Sequence, residues 1–341
     1  MVKIKGPNPF AAWEESPGAL AGRKDESRIF NGFLNAASSA QGGILIVYGG
    51  PGIGKSALLR LFRAEAEKAG MLSPSVAVEN GETEGEVAGK IVREAGMLAG
   101  MEGTEQAPAH IADVPQKVQK MAKKAFGAVI FIDDMDRMKA PGEALRGIEG
   151  ALKAAWGKRN AAFVLGMSQK PEFVSGIATF MELRPFGEQE ARELTEKALK
   201  KGPPKMGDEC LLAILSDSGG NPKLFRSVCR VIYERLRDNE KVITKGHYLG
   251  YLPFIMSMLG REWFGGMYNA TPPGERAILH VLAGREEGMH VSDIAKSLDK
   301  PLGPVTALAG RLLARGQIVR LDRGKYRIFS KLYARYVVSR G

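Results

Sequence analysis

The stretch Gly49-Gly50-Pro51-Gly52-Ile53-Gly54-Lys55-Ser56 decides the reading. It fits GxxxxGK[ST], a pattern in which glycines let the backbone wrap closely around a phosphate and aim successive N–H groups inward. The helix expected after it adds the positive partial charge of its N-terminus. Lys55 can reach the β- and γ-phosphates of a bound nucleotide, and the Ser56 hydroxyl can bind Mg2+. Working outward, the all-apolar run Ile44-Leu45-Ile46-Val47-Tyr48 precedes the loop and reads as a strand buried on both faces, the usual state in a parallel sheet. The loop is followed by Ala57-Leu58-Leu59-Arg60-Leu61-Phe62, the start of a helix from Lys55 to about residue 69. Strand, glycine loop and helix in that order are the context the pattern needs.

A second motif supports the first. Val129-Ile130-Phe131-Ile132 reads as another buried strand and runs straight into Asp133-Asp134, 77 residues after Ser56. Two carboxylates at a strand end beside a phosphate loop supply metal coordination and a group to orient water. Asp133 is therefore expected to serve the metal through bound water, and Asp134 the attacking water. Phosphate and cofactor contacts are expected from Gly50, Pro51, Gly52, Ile53, Gly54, Lys55, Ser56 and Ala57.

Further apolar runs at Ser75–Val78, Ala162–Leu165 and Phe180–Leu183 read as strands, and a helix is expected over Arg23–Ala37. Residues 84–125 read as mostly helical, with a break near 103–108. Leu145, Ile148, Leu152 and Trp156 recur at helical spacing. Alternating strands and helices predict an α/β, three-layer nucleotide-binding domain over residues 1–186. Beyond Phe186 the pattern is helical only, over Glu188–Lys200, Met206–Ser216 and Pro222–Leu236, which predicts a helical lid over 187–268. The turn-rich Asn269-Ala-Thr-Pro-Pro-Gly274 opens a third domain over 269–341.

That third domain has a compact pattern. Ile278 and Leu282 mark one helix, Ser292 reads as the cap of a second carrying Ile294 and Leu298, and Val305, Leu308 and Leu312 mark a third. Ile318–Leu321 and Tyr326–Ile328 alternate around Asp322–Lys325, a hairpin signal. This order of elements is similar to a DNA-binding winged helix. Arg323, Lys325 and Arg327 would lie on the wing, with Lys300, Arg311 and Arg315 flanking the third helix, all suited to phosphates. Only Thr306 and Arg311 are placed to read bases, so backbone-dominated binding is expected. Because one fold hosts unrelated functions, a protein-docking module is the alternative reading.

Composition agrees. The chain has 341 residues, 44% hydrophobic and 26% charged, which excludes a disordered or coiled-coil chain as a reading of the whole. Formal net charge is +11, and +7 of it lies in residues 271–341, where thirteen basic residues face six acidic ones. Such asymmetry points to a polyanionic partner. Cys210 and Cys229 form no CxxC pair, and the four histidines show no metal-ligand spacing. All six read as packing or surface residues. With no apolar leader at the start and no membrane-length apolar run, a cytoplasmic protein is expected.

The two motifs together, with helices after the sheet, resemble the AAA+ and STAND branches of P-loop ATPases. Over about residues 17–240, Gly22-Arg23-Lys24-Asp25-Glu26 is similar to their GRxxE segment, and Ser218-Gly219-Gly220-Asn221-Pro222-Lys223 to their sensor-2 region. Archaeal ATPases of this kind, including relatives of origin-recognition proteins, often end in a winged helix. The resemblance implies ATP as nucleotide, Pro222 near the adenine, and Lys223 in the sensor-2 neighbourhood. It also places Leu20 and Ala21 on the base side and Ser168 at the polar sensor-1 position. Asp134 departs from the usual Glu, and its shorter reach implies slow hydrolysis. No arginine occupies Ser168–Phe180, where a finger acting on a neighbouring subunit often lies. Arg137, Arg146, Arg159 and Arg184 are the substitutes. Two functions follow: a DNA-associated ATPase whose nucleotide state controls assembly on DNA, or a nucleotide-dependent signalling switch with a protein-docking C-terminus. Self-association and a protein partner stay open.

Overall fold

The computed structural model describes residues 7–11, 22–39, 41–101, 108–122, 125–155, 161–172, 175–200, 204–237 and 239–341. Leu20, Ala21, Trp156 and Arg159 lie outside them. The chain divides into two compact units, one built from 23–49 and 54–184 and the other from 1–22, 50–53 and 185–341.

The first unit contains α1 (Lys24–Ser38), β1 (Ile44–Tyr48), α2 (Lys55–Lys68), β2 (Ser75–Ala77), α3 (Glu84–Leu98), α4 (Val114–Met121), β3 (Ala128–Asp133), α5 (Pro141–Ala154), β4 (Ala161–Met167) and β5 (Ala178–Glu182). Its five strands form one sheet in the order β2-β3-β4-β1-β5. Every pairing is parallel. Parallel strands need crossovers, and helices covering both faces explain why β1, β3 and β4 are apolar throughout. Against one face pack α3, α4 and α5 through Val87, Ile91, Val118, Leu145 and Ile148. Phe30 of α1 and Phe62 of α2 are fully buried and stack at 4.1 Å. Central parallel sheet and flanking helices make the three-layer α/β nucleotide-binding architecture expected above. The helical reading of 84–125 resolves into α3, a single 3-10 turn at Ile111–Asp113, and α4.

In chain order the second unit holds α6 (Glu188–Ala198), β6 (Lys205–Met206), α7 (Asp208–Ser218), α8 (Pro222–Arg235), β7 (Val242–Ile243), α9 (Lys245–Leu259), a π-helical turn (Gly260–Phe264), α10 (Gly265–Asn269), α11 (Pro273–Ala283), β8 (Met289–His290), α12 (Val291–Ser297), α13 (Leu302–Ala314), β9 (Ile318–Asp322), β10 (Lys325–Ile328) and α14 (Lys331–Val338). One apolar core joins α7, α8 and α9 to α11, α13 and α14 through Ile214, Val228, Ile232, Ile255, Ile278, Leu312 and Tyr333. Two local expectations are corrected. Met206 does not begin α7 but pairs with Ile243 in a two-residue strand. Ser292 does not cap α12: the cap position is His290, its backbone extended and its side chain making no capping bond. The helical run from α9 to α10 was not foreseen, because α9 is apolar nearly all round and carries no single stripe. Cys210 and Cys229 are buried in this core, and burial raises both thiols, Cys210 to about 12, so both stay protonated and inert. Among the described residues no helix is long and apolar enough to cross a membrane.

Candidate active site

The glycine loop leaves β1 and turns into α2. Gly54 sits at the helix cap with φ 104°, a conformation that side chains rarely adopt. The backbone amides of Gly52, Gly54 and Ser56, and the Ser56 hydroxyl, find no acceptor among the described residues. Unpaired amides at a helix N-terminus form an anion-binding nest. Lys55 is 8% exposed, and its Nζ donates to the Gly49 carbonyl at 2.7 Å. Burial lowers the Lys55 pKa, while the carboxylates of Asp134, Asp133 and Asp136 oppose that fall. An ammonium held this way can exchange one carbonyl for phosphate oxygens.

The carboxylates come from the end of β3. Asp133 is half-buried, and its Oδ1 accepts the Asp134 backbone N–H at 2.9 Å. It owes its room to β4, whose Gly166 lies alongside. A Cβ at Gly166 would collide with Asp133 Oδ1 and lie 3.3 Å from Leu59 Cδ2. Asp134 adopts the left-handed conformation, φ 53° and ψ 38°, which aspartate tolerates better than most residues. Its carboxylate pairs with Arg137 at 3.1 Å. Burial raises the Asp134 pKa and the Asp133 charge adds to it, with Arg137 and Lys55 pulling the other way. Lys55, Asp133 and Asp134 thus form one electrostatic cluster, as their spacing in sequence implies. Ser168 enters it through the main chain, its N–H donating to Asp136 Oδ1 at 3.2 Å. Of the candidate fingers, Arg137 lies beside Asp134 of its own chain, and Arg184 pairs with Glu182 at 3.6 Å. Upstream, Arg23 pairs with Glu26 at 2.8 Å and reaches the Arg184 carbonyl.

A second set of residues grips the crown of the loop, Gly50–Ile53. Asn221 caps α8, its Oδ1 accepting from the Leu224 N–H at 3.2 Å. Its Nδ2 donates to the Pro51 carbonyl at 2.9 Å. The Lys223 N–H donates to the Gly52 carbonyl at 3.2 Å, and its ammonium lies 4.6 Å above the Trp263 ring. Trp263 and Asn221 close on Gly52 so tightly that a Cβ there would lie 2.7 Å from the indole. Pro222 is the first residue of α8 and stands between the two gripping residues. Sequence reasoning placed Asn221 in the sensor-2 segment without giving it a contact, and passed over Trp263 and Gly166. A cap signal marks Asn221, but nothing local marks the other two.

The C-terminal candidates separate into two groups. Buried Glu275, 1% exposed, pairs with Arg311 and with Arg315, each at 2.8 Å, so both arginines are engaged. Thr306 donates its hydroxyl to the Leu302 carbonyl at 2.9 Å. Arg323, Lys325 and Arg327, on the turn and on β10, form no ion pair among the described residues, though Arg327 feels the charge of Glu286.

A nest of unpaired amides at a helix head beside two strand-end carboxylates, on a parallel sheet in this order, has the arrangement of a P-loop nucleotide-binding fold. Residues 19–148 match the family described as AAA ATPase domain. In fold the chain is similar to the Walker-type ATPase of Pyrococcus abyssi, at 15% identity and a TM-score of 0.67, covering 93% of this chain and 95% of that one. It is also similar to the Aeropyrum pernix ORC1 protein, solved in complex with DNA, at 18% identity and a TM-score of 0.51, covering 94% and 93%. A Thermotoga maritima RuvB variant matches at 16% identity and a TM-score of 0.51, covering 94% and 97%. No curated protein matches the sequence.

Proposed function

We propose that the chain hydrolyses ATP with Mg2+, and that its nucleotide state controls binding to DNA, or assembly on it, through a basic winged-helix module at residues 269–341. The nest of unpaired amides at Gly52, Gly54 and Ser56 beside Asp133 and Asp134 carries the reading, because it fits a metal-bound triphosphate in both charge and donor set. Lys55 would leave the Gly49 carbonyl for phosphate oxygens. Ser56, and Asp133 through water, would hold Mg2+, which neutralises phosphate charge when bound. Asp134 would orient the attacking water and draw its proton, from a side chain one methylene short of the usual Glu. Ser168 would assist by placing that water. Pro222 would meet the base.

On the DNA side, with Arg311 and Arg315 held by Glu275, the phosphate contacts fall to the wing cations Arg323, Lys325 and Arg327, which form no ion pair among the described residues. Three phosphate contacts predict that log K falls against log salt with a slope of about −3. The test is ATP turnover with and without duplex DNA, beside duplex titrations at several salt concentrations. Lys55→Ala should abolish turnover, and a salt-independent duplex affinity would refute the DNA assignment. A signalling switch is the second reading. It is favoured by the hydrogen bonds from Asn221 and Lys223 to the loop crown, which would let a protein partner act on the loop through α8.

A further inference from the structure

A hollow of about 470 Å³ lies where the π-helical turn Gly260–Phe264 meets α14, and its lining is cationic without any acid. Arg261, Arg335 and Arg340 enter it beside Ser257, Ser339 and Tyr336. The chain neutralises one of the three: Arg335 reaches Asp217 at 3.2 Å. Arg340 lies 4.9 Å over the Tyr336 ring, and neither it nor Arg261 forms an ion pair among the described residues. The geometry of the turn creates the opening. In a π turn each N–H bonds five residues back, here Gly265 to the Gly260 carbonyl, and such turns recur at functional sites. Gly260 is needed where it stands, since a Cβ there would lie 3.1 Å from Tyr336.

Like charges gathered around one concavity repel each other, and an anion relieves the repulsion. Guanidinium groups in a fork match the oxygens of phosphate, and hydroxyls such as Ser257 add donors. The volume falls within the range of small-molecule sites. We propose that this hollow is a binding site for a small phosphorylated molecule carrying at least two negative charges, separate from the nucleotide site. Arg261 and Arg340 are its principal cations, and Tyr336 is its floor.

The test uses full-length Lys55→Ala protein, so that the phosphate loop does not compete, and inorganic pyrophosphate as the probe in calorimetry. One pyrophosphate should bind, and adding Arg261→Ser with Arg340→Ser should weaken it about a hundredfold, tenfold for each guanidinium removed. Both arginines are exposed, so the melting temperature should hold. Equal affinity in the two proteins, or no binding at all, overturns the site. Displacement of pyrophosphate by a mixed-sequence duplex would give the same cations to nucleic-acid phosphates and overturn the small-molecule assignment. Because loop function is already removed, none of these outcomes depends on the ATPase reading.

Discussion

Gly166→Ala tests the metal-binding assignment from a residue that touches no substrate. Gly166 is on β4, between β1 and β3, paired with Val47, and one position beyond the Leu165–Ile132 pair. The new methyl would collide with Asp133 Oδ1, with Leu59 Cδ2 at 3.3 Å and Asp133 Cα at 3.4 Å closing the other directions. The side-chain oxygen is the softest of these neighbours and must retreat by roughly 1 Å to reach an ordinary contact, at an overpacking cost of about 1–3 kcal/mol. If Asp133 holds the metal as proposed, a retreat of that size, where a 1 Å misplacement can cost about a hundredfold in rate, should lower kcat by roughly a hundredfold. The Mg2+ concentration needed for half-maximal turnover should rise, while nucleotide binding without Mg2+ should hold, because the amides of the nest are untouched. Thermal melting, ATP turnover across a Mg2+ series and metal-free nucleotide titration measure the three effects. A variant that melts several degrees lower but keeps both its turnover and its Mg2+ dependence would refute the placement of Asp133 at the metal.

Asp134→Asn should retain nucleotide and lose hydrolysis. In the parent chain, burial raises the Asp134 pKa, so turnover should fall away on acidification at a higher pH than for an ordinary carboxylate; an acidic limb at the ordinary position contradicts the role. Asn221→Asp keeps an oxygen to cap α8 but sets a carboxylate oxygen with no donor against the Pro51 carbonyl in a buried place, so it should cost about 1–3 kcal/mol or more of stability while nucleotide exchange quickens. Asn221→Ala loses both the donor and the cap without adding a charge, about 1 kcal/mol in denaturant unfolding, and should quicken exchange as well; unchanged exchange in both variants would refute the grip on the loop. Glu275→Gln frees Arg311 and Arg315 from a buried carboxylate. It should cost about 1–3 kcal/mol of stability and steepen the duplex salt slope from about −3 toward about −4.5, and an unchanged slope would place those arginines off the DNA face.

The nucleotide-binding unit was legible because its signals are local and redundant. Its buried strands are unbroken apolar runs, and two of them are bounded by a glycine or an acid: Gly49 after β1, Asp133 at the close of β3. A parallel sheet covered on both faces permits no other pattern. The region after Leu236 was not legible in the same way. An α9 that is apolar nearly all round offers no period to read, and a π turn at Gly260–Phe264 breaks the 3.6-residue rhythm on which a helix is recognised. Met206 and Ser292 failed for a shared reason. Two-residue strands and helix caps are fixed by a single tertiary partner, Ile243 for the first and the extended backbone at His290 for the second.

Within the site, what sequence disclosed and what it withheld follow a physical division. Lys55, Ser56, Asp133 and Asp134 were readable because each lies on, or directly beside, a motif whose spacing is set by one strand or one helix turn. Gly166, Asn221 and Trp263 act on that motif across 32 residues or more of chain, and their residue types have many commoner uses: glycine in a strand, asparagine at a cap, tryptophan in a core. The same division explains the arginines of the C-terminal segment. Counted by composition, Arg311, Arg315, Arg323, Lys325 and Arg327 are equal cations. Glu275 makes them unequal, because a carboxylate 1% exposed must keep its partners or be left as an uncompensated buried charge. The count of basic residues therefore overstates the polyanion-binding capacity of this segment by the two cations that its own core consumes.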